Sequence, residues 1–165
     1  MNVKNILMTM VLTVIMTTTA SAAKEKLGYV DLSRLFDEYY KTQDFDKTLE
    51  AKHKGFEEQR NAMIEKIRES QGKLGLLEEA KKTEMEQEIE KMKADLLEFD
   101  RLQKADLTKE RNEKIREILL EIENKVSEYA EKEGYAMILN DRVLVFGDQT
   151  IDLTKIILDM LNAKK

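Results

Sequence analysis

The side chains able to do covalent chemistry are few and badly placed for it. Cysteine is absent, which removes thiol nucleophiles, disulfides and thiolate metal sites together. The single histidine, His53, lies between Lys52 and Lys54, and the sequence offers no Ser-His or Cys-His arrangement and no glycine-rich loop to cradle a phosphate. Glu57 and Glu58, and Glu86, Glu88 and Glu90, could meet a cation, but neighbouring helical positions point apart and lack the loop carbonyls of a calcium site. The chain therefore reads as no enzyme, with no cofactor and no metal. The chemistry that remains is noncovalent. Met63, Met85, Met92, Met137 and Met160, with the Leu and Ile around them, are adaptable apolar side chains suited to irregular surfaces.

Those side chains ride on a long frame. From Asp44 to Glu133 the chain has no proline and three glycines, Gly55, Gly72 and Gly75. A continuous helix over that span would extend about 135 Å, so a reversal is expected between Ser70 and Thr83, where two glycines meet Leu74, Leu76 and Leu77. Leu49, Phe56 and Met63 recur every seven residues, joined by Ile67 and Leu74, with Arg60 and Ser70 at seam positions where Leu is expected. The returning seam is Met85, Ile89, Met92, Leu96 and Phe99. It thins from Asp100 to Lys114 and resumes at Ile115, Leu119, Ile122, Val126 and Tyr129. Sparse apolar contact predicts easier local opening in the thin segment. Met63, Met85 and Met92 either fill this seam or meet a partner.

The two ends read as a folded base. Lys26–Val30 is strand-like, Asp31 or Ser33 can cap a following helix bearing Leu32, Leu35, Phe36, Tyr39 and Tyr40, and Thr42-Gln43-Asp44 marks a bend or second cap before the arm. Gly134 ends the long helix as a left-handed cap. Tyr135–Leu139 and Val143–Phe146, around an Asn140-Asp141-Arg142 turn, read as a hairpin, and Asp152 caps a last amphipathic helix. Three short, nearly continuous apolar strands need cover on both faces. Self-association supplies it, and it would use Leu27, Tyr29, Val30, Met137, Ile138, Leu139, Val143, Val145 and Phe146. Ahead of the base, Lys4, the apolar run Ile6–Met16 and Ala20-Ser21-Ala22 have the order of an export signal over residues 1–22, cleaved after Ala22.

Residues 44–133 hold 19 basic and 25 acidic side chains, a net charge of −6, while residues 23–43 and 134–165 are each neutral. An acidic arm argues against nucleic acid and against simple capture of anionic lipid. Most of the charges read as a solvated helix face.

The order of signal, KLGYVDLSRLFDEY, long charged hairpin, YAMILNDRVLVFG and TIDLTKIILDMLNAKK resembles the Skp/OmpH family of periplasmic chaperones. The fold class is then mostly α with a small β base: an antiparallel helical-hairpin arm over 44–133 on a small α/β trimerisation body from 23–43 and 134–165. The resemblance implies a jellyfish-like homotrimer, periplasmic, that holds unfolded outer-membrane β-barrel precursors between its arms without ATP. Candidate client contacts beside the seam are Ile64, Leu97, Leu102, Leu107 and Ile118. Members of that family are strongly basic and this arm is acidic, so binding of lipopolysaccharide or of the membrane itself is not carried over. A coiled-coil adaptor or spacer of the cell envelope explains the export signal and the helices equally well, but the apolar base only with an added partner.

Overall fold

The computed structural model describes residues 25–163; the expected export signal at 1–22 lies outside them. Strand β1 (Lys26–Val30) leads into helix α1 (Leu32–Glu38). Asp31 is its cap: the carboxylate accepts the Arg34 backbone N–H at 2.9 Å, satisfying a donor that the helix start would otherwise leave free. Helix α2 (Tyr40–Leu74) and helix α3 (Glu79–Glu133) form the arm, reversing over 75–78. Strand β2 (Tyr135–Asn140) and helix α4 (Thr154–Asn162) complete the base. The fold is mostly helical with a small two-stranded sheet.

The break before the arm falls at Tyr39, whose ψ of 127° is extended, and not at Thr42-Gln43-Asp44, which lie inside α2. Its cause sits far along the chain. The Tyr40 N–H donates to Asn162 Oδ1 at 3.0 Å, and Asn162 Nδ2 donates to the Glu38 carbonyl at 3.2 Å. One amide from α4 thereby satisfies one backbone group at each of the two helix ends that meet here, and Thr42 is buried in the first turn of α2.

The sheet is also differently connected from the expected hairpin. Strands β1 and β2 pair in parallel, Leu27 opposite Met137 and Tyr29 opposite Leu139, and the whole arm is the crossover that parallel pairing requires. Gly134, at φ 71°, makes the sharp exit from α3 that sets this register. Val143–Phe146 is not a strand. Asn140 Oδ1 accepts the Arg142 N–H and Leu144 N–H donates to the Asp141 carbonyl at 2.9 Å, so residues Asp141–Val143 coil into a 3-10 turn in place of a strand reversal. Beyond it, the backbone at Gly147 passes against the Tyr29 ring so closely that a Cβ there would stand 2.7 Å from it.

One core organises the base: Val30, Leu35, Tyr39, Ile118, Ile122, Leu153, Ile157, Leu158 and Leu161 bring β1, α1, the root of α3 and α4 together. Thr154 Oγ1, which donates to Asp152 and accepts the Asp31 N–H at 2.9 Å, ties the start of α4 to the cap of α1. Along the arm the seam is apolar at Ile67 and Ile89, and the Phe56 and Phe99 rings stack at 5.3 Å. Where Arg60 interrupts it, the guanidinium Nε donates to both Asp100 oxygens at 3.2 Å, and Lys52 pairs with Glu110 farther down. Charge pairs thus bridge the segment where apolar residues run out.

Candidate functional site

Two surfaces stand out, one on the base and one on the arm. On the base, Leu27 and Met137 project from the sheet at half exposure and Leu139 at about a third, and Val145 and Phe146 are open to solvent at 106% and 85%. Large apolar side chains this exposed on one small base are candidates for an interaction surface. The residues expected to carry association divide here. Val30 belongs to the protomer's own core, Ile138 packs against it and Tyr29 is half-buried with its ring beside Gly147, whereas Leu27, Met137, Leu139, Val143, Val145 and Phe146 are exposed. Ile156, expected on the apolar stripe of the last helix, is 43% exposed, and Ile151, in the 3-10 turn before it, is 38% exposed.

On the arm, the structure does not gather the five expected contact residues into one place. Ile118 is 1% exposed in the base core, a correction that follows from helical phase: it shares a face with Ile122, four residues on, and that face meets α1 and α4. Leu97 is 71% exposed and Leu102 is 45% exposed, but five residues separate them, so they point about 140° apart around α3. Leu107 lines a groove of 390 Å³ between the arm helices with Leu49 and His53, edged by Asp46, Glu50 and Arg111. Ile64 is half-buried on α2. A second groove, of 410 Å³, lies at the arm root between Leu32 and Phe36 of α1 and Ile115 and Leu119 of α3. The residues missed from sequence are Leu120 and the tip residue Leu76; Leu120, two places from both Ile118 and Ile122, had to face away from the core.

The junction of arm and base is held by a polar network. Tyr39 Oη and Lys41 Nζ both donate to Glu121, at 2.8 and 2.7 Å. Burial, reinforced by the bond to Glu121, pushes the Tyr39 phenol up to about 12. The Lys41 hydrogen bond holds the Glu121 carboxyl below its ordinary value, and the same bond raises Lys41. This joins the first turn of α2 to the root of α3, and it positions the arm without offering a reactive group. His53 stacks on Phe56 at 6.2 Å as part of the arm surface. Among the described residues no group of three His, Cys, Asp or Glu is placed to hold a metal ion, and no helix is long and apolar enough to cross a membrane.

No curated protein matches the chain. A family described as "Outer membrane protein (OmpH-like)" matches residues 26–161. Among solved structures, a protein from Caulobacter crescentus CB15, described as a candidate outer membrane chaperone (OmpH-like), is similar with a TM-score of 0.79 at 8% identity, over 87% of each chain. Identity that low speaks for the fold alone, and the fold it supports is the arm-on-base architecture described above.

Proposed function

The chain belongs to the OmpH-like outer membrane protein family, and from that premise we propose that it is an ATP-independent periplasmic holdase. It binds unfolded outer-membrane β-barrel precursors through its arms and keeps them from aggregating in transit. The observation that carries this reading is the coexistence of long helices bearing exposed Leu97 and Leu102 and a groove lined by Leu107 with a base that leaves Val145 and Phe146 uncovered. The first supplies many weak apolar contacts. The second supplies a surface by which copies of the chain associate into a homotrimer and bring several arms around one client.

An unfolded barrel strand presents apolar side chains at every second position. Holding it needs contacts whose sum is large while each is easily released, and scattered, partly exposed Leu and Ile on a solvated charged helix provide them. A coiled-coil spacer would use the arm for its length alone and would leave the apolar positions on it unexplained. Dilution of a urea-unfolded β-barrel protein into buffer holding this protein and no nucleotide separates the two. The holdase keeps the client soluble; a spacer leaves it to aggregate, and that outcome would reject the reading.

A further inference from the structure

We propose that Met63, Met85 and Met92 are reversible oxidation sites through which a peroxide loosens the outer half of the arm. The two halves of the arm are tied in different ways. Toward the base, polar pairs join α2 to α3: Lys41 to Glu121, Lys52 to Glu110 and Arg60 to Asp100. Outward of the Arg60–Asp100 pair, among the described residues, no hydrogen bond or ion pair crosses between the helices, and Arg68–Glu65, Lys82–Glu79 and Lys93–Glu90 each stay within one helix. Apolar contact alone holds this half together. Its buried residues are Ile67, 8% exposed on α2, and Ile89, 3% exposed on α3. Met63 precedes Ile67 by four residues, Met85 precedes Ile89 by four and Met92 follows it by three, so all three lie on the seam faces. Met63 and Met92 each stand seven residues beyond the stacked Phe56 and Phe99, about 10 Å toward the tip, which sets them at one level on facing helices.

No methionine stands on the inner half of the arm, at 44–62 or 93–133. Leucine fills a seam at similar volume without thioether chemistry, as Leu49 and Leu107 do nearer the base. The three methionines are half-buried, so a small oxidant reaches them while the arm is folded. With no cysteine in the chain to compete, thioethers are its most readily oxidised groups. The sulfur lone pair attacks the terminal oxygen of hydrogen peroxide, an S–O bond forms as the O–O bond breaks, sulfur gives up two electrons, and the leaving hydroxide takes the proton and departs as water. The sulfoxide oxygen is a strong acceptor, and Ile67 and Ile89 offer no side-chain donor to meet it. Turning that oxygen to water takes the methionine out of the seam. Nothing polar then holds the outer helices together, while the Lys41–Glu121 pair and the base core keep the root closed.

The test treats the whole mature protein with hydrogen peroxide, locates added oxygen by peptide mass spectrometry and reads opening by amide hydrogen exchange. One oxygen is expected on each of Met63, Met85 and Met92, with amides over 61–74 and 85–99 exchanging about tenfold faster and those over 115–129 unchanged. The two methionine sulfoxide reductases, one for each epimer, are expected to restore the original rates. The variant Met63→Leu, Met85→Leu, Met92→Leu keeps Met137 and Met160, and peroxide should leave its arm unchanged. Oxygen on the exposed Met137 with none on the three arm methionines overturns the proposal. So does oxidation of all three without faster exchange, equal acceleration in the leucine variant, or acceleration that the reductases do not reverse.

Discussion

Ile118 and Leu97 show how far one residue's role depends on phase. Both are aliphatic positions beside the seam of the same helix, yet one is a core residue of the base and the other stands in solvent. Ile118→Ala removes methyl groups from a packed core and should destabilise the protein by about 2–5 kcal/mol, while Leu97→Ser should leave thermal stability within about 0.5 kcal/mol; urea titration of the two variants checks this. A second residue, Glu121, carries a pH dependence. Its folded value lies below the unfolded one, near 4.5, so its stabilisation is complete above that value and fades as the pH falls through the folded value. At one-third exposure the network is worth about 1 kcal/mol. Glu121→Gln should lower stability by that order at pH 7 and flatten the fall below pH about 4, read from melting curves at successive pH.

At the scale of elements, what was legible in the sequence was local. Asp31 declared itself as a cap and Gly134 as a left-handed helix end because each acts within a few residues of its own position. The Tyr39 break was not legible, since the amide that creates it arrives from Asn162, over 120 residues later. Nor was the fate of Val143–Phe146: its apolar run suits a strand, but a strand is defined by a partner edge, and within one chain an Asn140-headed turn takes its place. The segment Asp100–Lys114 is now seen to carry the Arg60–Asp100 and Lys52–Glu110 pairs, yet partly exposed ion pairs add little to local stability. Its amides should therefore exchange faster than those of Ile115–Tyr129, which ride on the base core, and equal protection would show that the charge pairs hold the arm as firmly as packing does.

At the scale of the whole molecule, the base is a core on one side and an uncovered apolar surface on the other. In the proposed homotrimer, copies of the chain would cover Val143, Val145 and Phe146 together and give the arms a shared origin around a client. Val145→Asp should leave the protomer core intact, because the side chain touches none of it, while setting a charge in the contact between copies and weakening association by several kcal/mol. The most direct measurement is sedimentation equilibrium of the mature protein, alone and with a urea-unfolded β-barrel protein added without nucleotide. A mass of three chains, rising by that of one client on addition, is the predicted result. A folded monomer that leaves the client to aggregate would contradict the account.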